Sequence, residues 1–84
     1  MITQREIIRK YCYERDLNAK RLLDAVNEDL GPLTYRTQVI YNWLSGERPM
    51  RARLEYVMQR YPADDWRHKF ASELMGARAE GQSI

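Results

Sequence analysis

The chain lacks most of what would mark it as a disulfide, metal, membrane or sheet protein. It has one cysteine, Cys12, among 84 residues. A lone thiol can neither close an internal disulfide nor build a thiolate metal site. The one histidine, His68, has no cysteine or second histidine at metal-ligand spacing. Val, Ile and Thr number only 11, which argues against a sheet. No apolar run exceeds three residues, as in Tyr11-Cys12-Tyr13, so no segment is predicted to span a bilayer. No glycine-rich phosphate loop is present. The N-terminal residues show no apolar stretch after their charges, so a secretory signal is not expected and a cytoplasmic location is the default. An excess of one charge is missing too: 14 bases against 12 acids leave +2.

What is present favours helix. Ala, Leu, Met, Lys, Arg, Glu and Gln make up 44 of the 84 residues. The length suits one domain with one core. The expected fold is all-α, a compact bundle of five helices in a domain over residues 1–78, followed by a flexible C-terminal tail over residues 79–84.

Local signals place the helices. Thr3 and Glu6 form a capping-box pattern before a helix from Gln4 to Arg15, with Ile7, Ile8, Tyr11 and Cys12 on one face. Asn18 caps a second helix whose stripe is Leu22, Leu23, Val26 and Leu30. Gly31 and Pro32 stop it. A third helix begins between Tyr35 and Gln38, with Thr34 or Thr37 as its cap, and turns Val39, Ile40, Trp43 and Leu44 inward before Gly46. Pro49 suits the first turn of a fourth helix, whose stripe is Met50, Leu54, Val57, Met58 and Tyr61. Pro62 ends it. Asp64 or Asp65 starts a fifth helix with the stripe Trp66, Phe70 and Leu74, expected to end at Gly76.

The mild total charge hides a pattern. Residues 5–21 carry a net +3, residues 22–33 a net −3, residues 34–53 a net +3 and residues 54–84 a net −1. No acid occurs from Leu30 to Gly46. With its apolar residues inward, the third helix shows Arg36, Thr37, Gln38, Tyr41 and Asn42 outward. Gln and Asn can pair with adenine, Arg with guanine, and Thr with a thymine methyl or a phosphate. The same residue types also make an ordinary solvated helix face.

The string Val39-Ile40-Tyr41-Asn42-Trp43-Leu44-Ser45-Gly46-Glu47-Arg48-Pro49 adds context. With Ile40, Trp43, Gly46 and Pro49 at their spacing, the region from Leu22 to Pro49 resembles the helix-turn-helix of lambda-repressor-like (Cro/Xre-type) DNA-binding domains. That family is a five-helix bundle with the motif on helices two and three. The resemblance implies a small sequence-specific DNA-binding protein, a bacterial or phage-type transcriptional regulator, that inserts helix three into the major groove of double-stranded DNA. It implies Arg36, Thr37, Gln38, Tyr41 and Asn42 as base-reading candidates. Lys20, Arg21, Thr34, Arg48, Arg51 and Arg53 are the candidates for the backbone. Thr34 departs from the family's turn glycine. The joint from Gly31 to Thr37 is therefore either a longer turn or an early start of helix three.

Other readings stand beside this one. A protein-interaction module, an adaptor or antitoxin-like partner, would use the same bundle with Tyr35 and Tyr41 exposed. The stripe Trp66, Phe70 and Leu74 either closes the core or forms a homodimer contact. His68 reads as a solvated or packed helix residue, Cys12 as a buried thiol, and Asp64-Asp65 as capping residues. No cofactor and no enzyme activity are expected.

Overall fold

Helix start signals at three of the five helices correspond to hydrogen bonds in the computed structural model, which describes residues 2–82, with side chains through residue 78. The helices are α1 (Gln4–Arg15), α2 (Ala19–Asn27), α3 (Thr37–Leu44), α4 (Arg51–Arg60) and α5 (Trp66–Gln82). A single 3-10 turn, Gly31–Leu33, lies between α2 and α3. The described residues contain no strand, so the fold is an all-α five-helix bundle. None of their helices is long and apolar enough to cross a membrane.

At α1 the Thr3 hydroxyl accepts the Glu6 N–H at 3.2 Å. Glu6 turns its carboxylate back to accept the same hydroxyl's proton at 3.3 Å. At α2 the Asn18 side-chain oxygen accepts the Arg21 N–H at 2.9 Å. At α5 it is Asp65 that caps, accepting the Arg67 N–H at 2.9 Å. The Thr3, Asn18 and Asp65 oxygens satisfy N–H groups that have no partner inside their own helix.

α1 is the hub, packing on α2, α3 and α5, while α4 packs on α5. Ile7, Ile8 and Tyr11 of α1 meet Leu22, Leu23 and Val26 of α2, Ile40 and Trp43 of α3, Leu54 and Val57 of α4, and Phe70 and Leu74 of α5 in one core. The Tyr11 and Phe70 rings meet edge-on at 5.1 Å. Glu73 fastens α5 to α1, accepting from Lys10 Nζ at 2.7 Å and from the Tyr11 hydroxyl. Burial pushes the Glu73 carboxyl up, but these two donors hold it below its usual range.

Several expectations fail, each for an identifiable reason. α5 does not end at Gly76 but runs to Gln82, because Gly76, unlike Gly31 and Gly46, does not take the positive φ that would close a helix. Residues 79–82 of the expected tail are therefore helical in backbone, and residues 83–84 lie outside the described ones. Pro49 is not in the first turn of α4; it is buried just before the N-cap, Met50, and its carbonyl accepts from Arg78 Nε at 3.1 Å. Met50 is 66% exposed rather than part of the core. Phe70 and Leu74 are buried inside the monomer, so they have no surface to offer a second copy. Half-buried Trp66 is covered by the Arg15 guanidinium, 4.4 Å from its ring.

α2 also ends earlier than its stripe suggests. The Ala25 carbonyl accepts from Arg67 at 3.2 Å, and the Val26 carbonyl from the Tyr61 hydroxyl at 2.7 Å. Tyr61 accepts the Asp29 N–H at 3.0 Å in return. The side chains of Tyr61, just past α4, and of Arg67 in α5 thus take over hydrogen bonds that a further helical turn would have made. Leu30 is still buried, but from the turn. His68 plays a related part at the end of α4: its Nδ1 lies 2.8 Å from the Met58 carbonyl and 3.0 Å from that of Tyr61. Both partners are acceptors, so Nδ1 carries the proton and donates.

Candidate nucleic-acid interface

The site is built on α3, and both of its ends are anchored. At the C-terminal end the Gly46 N–H donates to the Trp43 carbonyl at 3.1 Å, and the Glu47 N–H to Asn42 at 2.9 Å. This paired closure requires a left-handed residue at Gly46, whose φ is +109°. Gln4 of α1 adds two bonds from Nε2, to the Trp43 carbonyl at 2.7 Å and the Glu47 carbonyl at 2.6 Å. The role of Gln4 is invisible in the sequence, because its partners lie about forty positions away.

At the N-terminal end the joint from Glu28 to Arg36 is a long turn. α3 starts at Thr37, with Arg36 as N-cap and no side-chain cap, so neither Thr34 nor Thr37 fills that role. Thr34 instead donates its hydroxyl to the Gly31 carbonyl at 2.7 Å. Gly31 does take the left-handed conformation, with φ +57°. The joint exceeds the 3–4 residues usual between the two helices of a helix-turn-helix.

Asn27 clasps this turn. Its Nδ2 donates to the Tyr35 carbonyl at 2.9 Å, and its Oδ1 accepts the Tyr35 N–H at 2.8 Å. The Tyr35 side chain turns inward and meets Trp43 edge-on, ring centres 5.1 Å apart. Only 5% of Tyr35 is exposed. It therefore cannot serve as the exposed tyrosine of an interaction surface; of the two candidates, Tyr41, at 45%, retains that character.

The outward face of α3 gathers the predicted residues. Arg36, Thr37, Gln38 and Tyr41 are exposed and Asn42 is half-buried, while Ile40 and Trp43 are buried beneath. Gln38 Nε2 donates to Asn42 Oδ1 at 3.1 Å, one helical turn away. This bond orients both amides. Gln38 keeps its oxygen and one N–H, enough for a two-point contact to an adenine edge, and Asn42 keeps both N–H donors.

The backbone candidates are less uniform. Lys20 and Arg21 are exposed at the start of α2, with Lys20 paired to Asp24 at 3.2 Å. Arg48 is exposed in the loop after α3. Arg51 pairs with Glu55 at 2.8 Å across one turn of α4, both well exposed. Arg53 is engaged within the fold: it donates to the Leu33 carbonyl and lies 4.3 Å over the Tyr35 ring. To reach a phosphate it must give up that brace. Comparison of the chain with protein-family models, curated proteins and solved structures finds no match.

Proposed function

We propose that this protein binds double-stranded DNA with sequence preference, as a small transcriptional regulator of the lambda-repressor-like type. The observation that carries the reading is the acid-free outward face of α3, held at both ends and bearing Arg36, Thr37, Gln38, Tyr41 and Asn42. Eight residues span about 12 Å, a length that fits the major groove. Gln38 and Asn42 act as a coupled pair on base edges, with Arg36 beside them at the helix start. Thr37 and Tyr41 contact bases or phosphates. Lys20, Arg21, Arg48 and Arg51 lie on the backbone. The surface ion pairs of Lys20 and Arg51 are weak enough to exchange for phosphate. The long clasped turn sets Thr37 as the first helical residue, so Thr34 lies in the turn, outside the groove-facing helix.

Selection of bound fragments from a random duplex pool tests binding, preference and half-site symmetry together. A defined motif is expected. The double substitution Gln38→Ala, Asn42→Ala should abolish that preference while circular dichroism stays unchanged. Absence of duplex binding at low salt would sink the proposal and favour a protein partner, whose apolar anchors resist salt.

A further inference from the structure

A groove of about 290 Å³ lies beside α3 and the start of α4. Tyr35, Val39, Trp43 and Met50 supply its apolar wall, and Arg48 and Arg53 its cations, against the single acid Glu47. One lining residue carries a polar group that is out of place. The Tyr35 hydroxyl is sealed from solvent and has no hydrogen-bond partner. The other buried phenols do have partners: Tyr11 bonds Glu73, and Tyr61 bonds the Val26 carbonyl. Burying a hydroxyl unpaired is costly, so an unpaired one at a groove wall marks the place of a missing acceptor. Burial also pushes this phenol up to about 12, partly offset by the charge of Arg53, so it stays a donor at neutral pH.

We propose that this groove binds a small carboxylic acid with a flat apolar body. The carboxylate accepts the Tyr35 hydroxyl and faces Arg53, and the body lies along Val39, Trp43 and Met50. A hydroxyl donating to a carboxylate is stronger than one donating to a neutral acceptor. Arginines outnumber the single acid in the lining, which favours an anion over an amine. The volume is at the low end for ligand pockets and admits one or two rings. Entry requires movement of Met50, which is largely exposed, or of Arg53, whose guanidinium lies over the Tyr35 ring. Both are long, unbranched side chains that can change rotamer.

The inference does not depend on DNA binding, and its test contains no DNA. The isotope-labelled full chain is titrated with phenylacetate, indole-3-acetate and phenylacetamide, and amide resonances are followed. Saturable shifts at Tyr35, Val39, Trp43 and Met50 are expected, with phenylacetate binding about fivefold or more tighter than phenylacetamide. Tyr35→Phe keeps the ring and should weaken phenylacetate about fivefold. Met50→Glu changes an exposed side chain, so the fold should persist, and should weaken the acid by repulsion to a similar degree. The proposal is overturned if no probe gives saturable shifts there up to about 20 mM. It is equally overturned if the amide binds as well as the acid, or if both folded variants keep wild-type affinity.

Discussion

Replacing Asn27 tests how the start of α3 is positioned. Its side chain makes two hydrogen bonds to one residue, to the N–H and the carbonyl of Tyr35, at 2.8 and 2.9 Å. Asn27→Ala removes both and leaves two backbone groups in a half-buried turn short of partners. A typical hydrogen bond contributes about 0.5–1.5 kcal/mol net, so the expected loss is about 2 kcal/mol. For a domain of this size each kcal/mol is worth roughly 4–8 °C in melting temperature, so a drop of about 10 °C should follow. Asn27→Asp separates the two bonds. It keeps the acceptor for the Tyr35 N–H but sets an anionic oxygen against the Tyr35 carbonyl. Only the protonated acid can donate there, so folding raises the pKa of the introduced carboxyl. The variant should match wild type best below an unfolded value of about 3.9 and lose stability relative to it as pH rises through the folded value. Urea melts at pH 4 and pH 7 measure both effects. A loss under about 0.5 kcal/mol for Asn27→Ala, or an Asn27→Asp penalty independent of pH, would refute the clasp.

Five further outcomes follow from the same geometry. Gly46→Ala should cost about 1–2 kcal/mol in chemical denaturation, because φ +109° is strained for a residue with a side chain; Gly76→Ala, at an open helical position, should instead stabilise by up to about 1 kcal/mol. Glu73→Gln should destabilise at neutral pH. The wild-type carboxyl is held low when folded, so its contribution is present above the unfolded carboxylate value and disappears as pH falls through the folded one; melts of the two proteins should converge in acid. Arg51→Ala should weaken binding to all duplexes alike and lower the salt slope by about one; an unaltered slope removes Arg51 from the phosphate contacts. Loss of sequence preference in the Gln38→Ala, Asn42→Ala pair, read by the duplex selection, checks the groove-facing assignment.

The sequence by itself determined the helical class, three of the starts and most of the core. Thr3, Asn18 and Asp65 act through neighbours three residues away or fewer, and Gly31 and Gly46 through their own backbone. Local chemistry of this kind is legible in a string. Apolar spacing likewise placed Ile7, Leu22, Ile40, Leu54 and Phe70 inside. The outward set on α3 followed from the same periodicity, because a residue opposite a buried stripe has nowhere else to point.

Tertiary structure decided what depends on distant partners. α2 stops at Asn27 because Tyr61 and Arg67 reach across to its last carbonyls. α3 waits until Thr37 because Asn27 holds Tyr35 in the turn, and it ends against Gln4. Arg53 reads as a phosphate clamp in sequence but lies over Tyr35 in the fold. Helix stripes and caps repeat over three or four residues, and that is the range a sequence reveals. The clasp, the brace and the unpaired Tyr35 hydroxyl arise only where segments far apart in the chain are packed together, and there the competing partners for each carbonyl and each cation are decided.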